Sequence, residues 1–325
     1  MYMKLKSALS AVLLALITVC PGMAVERQSV VATIKPLHSL VAGVMGATGT
    51  PELLITGHGS PHEFQLKPSQ VKALQSAAVL FYIDESFETF LRNAFEVLPA
   101  HVRKAPAAQK AGLTLLARRQ GGVWEEQMHM AHEHGEEMGH NHDKQADHHR
   151  HDHDDMHVWL DPKNAEKIVT FITQELSAVY PENKDIYKVN ARVLLDRLHE
   201  LDTRLREELS GLSHKRFMVF HDAYHYFEKH YGLSPVGSLT FEPNEAPSPK
   251  RMKAVREKLE ETKTLCVFRE PYFSDKVITA VIEGSSAKIG TLDPEGTELT
   301  PGKDLYFTLM ENLARNVKQC LSSSP

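Results

Sequence analysis

Residues 182–209 read ENKDIYKVNARVLLDRLHELDTRLREEL, and the architecture of the chain hangs on them. Pro181 stands just ahead of the stretch, a residue tolerated in the first turn of a helix but not in its interior. Val189, Val193, Leu194, Leu198, Leu201, Leu205 and Leu209 recur at helical spacing, which predicts one apolar stripe. At 1.5 Å per residue such a helix is ~40 Å long, a domain's width or more. On either side of it, short β-rich runs alternate with helical patterns, as in parallel sheets covered on both faces. The expected fold class is therefore α/β, with two parallel-sheet lobes joined by a long rigid helix.

Working outward, strands are expected in the first half over residues 29–34, 52–56 and 78–83. Helices are expected over 36–46, 68–76 and 87–98, the last on the spacing of Phe87, Phe90, Leu91, Ala94, Phe95 and Leu98. A further helix follows Asp161-Pro162 as far as Tyr180. In the second half, strands are expected over 217–220, 236–239, 264–268 and 288–292, with helices over 222–231, 249–261, 274–283 and 303–320. The boundaries read as a leader (1–24), a first lobe (25–160), helices including the long connector (161–211) and a second lobe (212–325).

The leader reading rests on Lys4 and Lys6, a short apolar run from Ala8 to Val19, and Gly22-Met23-Ala24 as a small-residue cleavage site after Ala24. The run is too short to span a bilayer. A lipoprotein leader with Cys20 as the lipidated residue is the rival, although Val19 stands where such a leader wants Gly or Ala. An exported, soluble protein without a membrane anchor is expected. Cleavage removes Lys4, Lys6 and Cys20, so the formal charge goes from −5 to −7 and two of three cysteines remain. With no basic field, nucleic acid is excluded as a partner. Cys266 and Cys320 most simply form one disulfide in an oxidising compartment, stapling the last helix to a sheet strand; the alternative is two free thiols.

Histidine is the unusual residue. Of nineteen, ten fall at 129, 132, 134, 140, 142, 148, 149, 151, 153 and 157. Residues 121–157 also hold ten acidic groups against Lys144 and Arg150, and almost no aliphatic ones. Such a stretch cannot form a core, and residues 121–156 are expected to be a disordered loop. Neutral imidazole binds zinc, copper and nickel, and the carboxylates attract the cation. Without fixed spacing, His129, His132, His134, His140, His142, His148, His149, His151 and His153 read as weak, adaptable secondary sites.

Three other histidines sit where an αβ fold binds ligands, beyond the carboxyl ends of strands. His62 follows the second strand, His221 follows Phe217-Met218-Val219-Phe220, and His157 opens the segment where order returns. Asp293 likewise follows a strand. Three imidazoles with at most one carboxylate suit a four-coordinate zinc site, although taken alone each histidine is more often a surface or core-satisfied residue than a ligand. His58 is a decoy beside His62, and His225 and His230 read as helix-surface or supporting groups. No metalloprotease, hydrolase, Walker or dinucleotide-binding motif occurs. An exported zinc-dependent hydrolase remains a second reading, with Glu63 or Asp222 as general base. An adhesin on the same fold lacks any adhesive repeat to support it.

The combination of Ala32-Thr33-Ile34-Lys35-Pro36-Leu37, Ser60-Pro61-His62-Glu63-Phe64, Met156-His157-Val158-Trp159-Leu160, Val219-Phe220-His221-Asp222-Ala223 and Gly290-Thr291-Leu292-Asp293-Pro294 resembles the periplasmic zinc-binding proteins of bacterial high-affinity zinc ABC importers, the ZnuA family. The resemblance runs over the whole mature chain. It implies zinc held in the cleft between the lobes by His62, His157 and His221, and a disulfide at Cys266 and Cys320. It also implies a histidine-rich reservoir or shuttle, and delivery of the zinc ion by a monomeric periplasmic protein to a membrane permease. One departure bears on the fourth ligand. Several members carry an acid directly before the first histidine, where this chain has Pro61, and the acid follows as Glu63. Asp293 or water is the expected fourth ligand, with Glu63 the remaining choice. Manganese-type relatives use more carboxylates, and nickel competes for imidazole.

Overall fold

The computed structural model describes residues 29–57, 61–119, 123–124, 153–240, 247–271, 273 and 275–322. The expected leader, His58, the Glu63 side chain and the tract histidines from His129 to His151 lie outside the described residues.

Four parallel strands form the first sheet: β1 (Ser29–Ala32), β2 (Glu52–Leu53), β3 (Ala77–Tyr82) and β4 (Arg103–Pro106), in the order β2-β1-β3-β4. Helices α1 (Lys35–Met45), α2 (Pro68–Ser76), α3 (Leu91–Phe95) and α4 (Ala107–Lys110) fall between and after them. A small antiparallel ladder, β5 (Leu116–Ala117) with β6 (Asp154–Asp155), brackets the histidine-rich tract. Helices α5 (Pro162–Val179) and α6 (Lys184–Leu209) follow. The second sheet is again parallel: β7 (Arg216–His221), β8 (Ser234–Thr240), β9 (Cys266–Arg269) and β10 (Lys288–Thr291), in the order β10-β9-β7-β8. Its helices are α7 (His225–Tyr231), α8 (Pro249–Glu261), α9 (Asp275–Ile282) and the closing α10 (Leu305–Ser322).

Local chemistry sets the boundaries. Proline occupies the first turn of α1, α2, α5 and α8, where its missing N–H is no loss. The Asp161 carboxylate accepts from Lys163 N–H to cap α5, and the Ser248 hydroxyl accepts from Arg251 N–H to cap α8. Gly232 ends α7 in the left-handed region at φ 64°, a conformation open to glycine without penalty.

The inner faces of the two sheets share one apolar core. Ala32 and Phe81 of the first sheet and Val219 and Phe268 of the second belong to it, with Leu40 of α1, Ile168 of α5, Leu198 of α6 and Leu313 of α10. Each outer face has its own smaller core, Leu80 and Tyr82 with Leu74 of α2 on one side, Met218 and Val267 with Val255 of α8 on the other. Helix α10 packs on β10 and also on α1 and α6, and the Cys266–Cys320 disulfide bonds it to β9. The loop after β10 is tied across to the first half of the chain. Lys35 Nζ donates to the carbonyls of Gly296, Thr297 and Leu299, and Trp159 Nε1 donates to Pro294 O at 2.8 Å.

Several expectations need correction. The apolar stripe of α6 is Tyr187, Ala191, Leu194, Leu198, Leu201, Leu205 and Leu209, while Val189 and Val193 are 64% and 55% exposed. The helix packs on α1, α5 and α10 along one side, and those two valines fall on the other. The helix expected over 87–98 is only the single turn or so of α3. Ahead of it the Glu88 carboxylate accepts from the N–H groups of Ile83 and Asp84 and from the Thr33 hydroxyl, so 83–88 is held as a turn. Strand β4 and the β5–β6 ladder were not expected. β4 reads Arg-Lys-Ala-Pro, with no β-branched or aromatic residue to announce an edge strand.

His230 on α7 joins three helices. Its Nδ1 lies 2.9 Å from Asp161 at the start of α5, and its Nε2 2.7 Å from Asp202 of α6, where Arg206 also approaches. Burial presses its pKa down, but the two carboxylates outweigh burial and leave it raised. A histidine with a raised folded pKa adds stability in full below its unfolded value of ~6.5 and loses it as pH rises through the folded value. His230→Asn should therefore destabilise the protein more at pH 6 than at pH 9 in urea unfolding. By the same measurement, Leu198→Ala should cost about 2–5 kcal/mol, and Val189→Ala should fall within about 0.5 kcal/mol of neutral.

Candidate metal centre

Each histidine of the centre is placed by a different element. His221 is the last residue of β7, His62 lies in a single 3-10 turn (Pro61–Glu63) between β2 and α2, and His157 lies two residues beyond β6 and immediately before another such turn (Val158–Leu160). The strand-end position of His221 lets its ring leave the sheet edge while the backbone stays paired with β8. The three rings meet with centroid separations of 5.3 Å (His157 and His221), 5.7 Å (His62 and His157) and 6.2 Å (His62 and His221). Each offers one nitrogen lying within 4.8 Å of the others. Among the described residues this is the one group of histidine, cysteine and carboxylate side chains gathered closely enough to hold a metal ion.

The ring orientations are set from behind. His157 Nδ1 lies 2.7 Å from Asp155 Oδ1, which also accepts from the His157 backbone N–H. His221 Nδ1 lies 2.6 Å from Glu270 Oε1. A proton on each Nδ1, donated to its carboxylate, leaves the Nε2 lone pair free. Those two Nε2 atoms are 3.4 Å apart. A tetrahedral zinc with bonds of ~2.0–2.1 Å separates its ligand atoms by roughly this distance, so the pair fits one edge of that coordination shell. Phe87 packs its edge on His62 and His157, and Trp159 backs both Phe87 and His157, giving the centre an apolar wall.

Burial holds the His62 and His157 imidazoles well below their ordinary pKa, helped by the neighbouring histidines and Arg118. Burial also presses on His221, but the Glu270 carboxylate outweighs it and leaves that ring above its ordinary value. Asp155, fully enclosed, is pushed up to about 6 by burial.

Asp293, expected as a possible fourth ligand, is engaged elsewhere. Its two oxygens accept from the N–H groups of Glu295, Gly296 and Thr297 and from the Thr297 hydroxyl, so it organises the loop that Lys35 grips. His153, the one tract histidine among the described residues, is exposed. His225 opens α7 half-buried and outside the cluster. Sequence reading missed Asp155 and Glu270. The strand-end rule that found His221 applies equally to Glu270, which directly follows β9. Asp155 stands two residues before His157, close enough to have been read as its partner.

The sequence of this chain matches the family model described as zinc-uptake complex component A, periplasmic, over residues 30–320. The chain belongs to that family. It is thus a periplasmic solute-binding protein and not an enzyme. The high-affinity zinc uptake system protein ZnuA of Brucella suis is 38% identical over 321 residues, covering 93% of this chain and 94% of the relative. The protein of the same name from Paracoccus denitrificans is 37% identical over 306 residues, covering 92% and 93%. Among solved structures, the Zn(II)-bound ZnuA-like domain of Streptococcus pneumoniae AdcA superposes with a TM-score of 0.67 at 25% identity, covering 91% of this chain and 99% of that one. Among the described residues no helix is long and apolar enough to cross a membrane.

If Asp155 and Glu270 set the tautomer and aim of their rings, removing either acceptor weakens metal binding without removing a ligand. Asp155→Asn and Glu270→Gln should each lower zinc affinity roughly 10–100-fold, measured by competition with a chromophoric chelator.

Proposed function

We propose that this protein captures zinc in the periplasm, holds one ion between its lobes through His62, His157 and His221, and hands it to the membrane permease of an ABC importer. The observation that carries this reading is the convergence of three imidazoles from remote segments, two of them braced by buried carboxylates. An all-nitrogen set favours zinc over manganese, which prefers carboxylate and water ligands. With Asp293 engaged in its own loop, water or Glu63 is left to supply the fourth ligand. The histidines of the 121–156 tract serve as a secondary zinc reservoir that loads the centre. Membership of a family of zinc-uptake components, and relatives named for that uptake, support the same cargo.

Titrating zinc into the mature chain, intact and with residues 125–152 deleted, separates the two kinds of site. One tight equivalent should survive the deletion, and the weak equivalents should go with the tract. His157→Ala should abolish the tight equivalent in both forms. Loss of all tight binding on deletion of the tract would overturn the assignment. Because a ligating imidazole must be unprotonated, the affinity of the tight equivalent should begin to fall as pH drops through the raised value of His221, above its ordinary ~6.5, read from the same titration repeated across pH.

A further inference from the structure

The small cavity that holds the three histidines is also lined by Arg118, Arg119, Asp155 and Asp222, and Arg118 donates through Nε to the Asp154 carbonyl. A fixed positive charge beside a place for a divalent cation works against binding, and two carboxylates in the same cavity would add oxygen ligands. Both features are unexpected in a centre that presents only nitrogen, and one interaction accounts for Arg119 and Asp222 together.

Arg119 grips Asp222 with both arms of its guanidinium. Its Nε lies 3.0 Å from Oδ2, and its Nη2 bonds Oδ1. The same Nη2 lies 2.7 Å from Glu228 Oε2, and the Trp124 ring covers the guanidinium with 3.5 Å between Cζ and the ring centre. The fork matches a carboxylate in a way an ammonium cannot. Asp222 adjoins His221 in the chain, and both its oxygens are taken. Asp155 needs no such restraint. It bonds the Nδ1 side of the His157 ring, so the imidazole itself stands between that carboxylate and the Nε2 side.

We propose that Arg119 determines the metal selectivity of the centre: by clamping Asp222 it keeps the carboxylate beside His221 out of the coordination shell and preserves a three-imidazole site. The inference rests on the reading of the cluster as a zinc centre. Without the guanidinium, Asp222 is an enclosed carboxylate lacking its counter-charge, and a cation in the same cavity is the nearest replacement. Its oxygen then joins the ligand set, which shifts preference toward manganese and other oxygen-loving ions.

The test uses the mature protein as wild type, Arg119→Met, Arg119→Lys and the double variant Arg119→Met with Asp222→Asn. Zinc affinity is measured by chelator competition and manganese affinity by loss of the free-ion electron paramagnetic resonance signal. Thermal melts of the metal-free forms report folding. Arg119→Met should raise the manganese-to-zinc affinity ratio about tenfold or more, reflecting the gain of a carboxylate ligand. Arg119→Lys should shift it less, since lysine cannot fork to both oxygens, and it carries the test if the methionine variant does not fold. The double variant should return the ratio to that of wild type, which a merely structural role for Arg119 would not do. An unchanged ratio in a folded single variant, or a shift that persists in the double variant, overturns the inference alone. A wild-type protein that binds no zinc overturns the zinc reading and this inference with it.

Discussion

Tyr187, Leu194, Leu198, Leu201 and Leu205 bury one side of a 26-residue helix in a core that both sheets also enter. This shared burial is what allows a centre to be assembled from parts so distant in sequence. His62 and His221 are separated by more than half the length of the mature chain, and no local interaction could hold their rings about 6 Å apart. Because the inner faces of both sheets close on the same set of helices, the end of β7 and the turn after β2 are fixed relative to one another by apolar packing before any metal arrives. The loop after β10 adds a polar tie of the same sense, gripped by Lys35 and by the Trp159 indole. Trp159 lies two residues beyond His157, so that tie reaches the ligand segment itself.

Within this frame the electrostatics are arranged by pairing each charge with a specific partner. Glu270 serves His221, Asp155 serves His157, and Arg119 occupies Asp222 and Glu228. The cavity therefore contains several ionisable groups yet presents imidazole nitrogen to its centre. Buried charges left without such partners would be costly; here Glu270 and Asp222 find theirs on other segments, and Asp155 finds His157 two residues along its own.

Much of this was legible in the sequence. The second sheet, three of the four strands of the first and the connecting helix followed from hydrophobic period and from prolines at helix starts; strand ends pointed to His62 and His221, and the family resemblance joined them with His157 as one ligand set. What stayed hidden depends on the third dimension. Val189 and Val193 share the helical period of the buried leucines, and only the placement of α1, α5 and α10 on one side of α6 leaves them exposed. Asp293 looked like a ligand because it follows a strand, but its own following turn offers it three backbone N–H groups and a hydroxyl. Arg119 stands at the edge of a tract whose composition draws attention to histidine, and nothing local links it to Asp222 over a hundred residues later.

The β5–β6 ladder has a consequence for how this protein can vary. Ala117 pairs with Asp154 and Leu116 with Asp155, and Arg118 N–H donates to His153 O at 2.8 Å, so the chain departs and returns at a single doorway. Closing a longer or shorter excursion there changes the entropy only logarithmically with its length. Insertions and deletions over 125–152, beyond the Arg119 and Trp124 contacts, should leave the register of Asp155, and with it the aim of His157, untouched. The number of histidines carried in that excursion can then change while the centre two residues beyond the doorway stays the same.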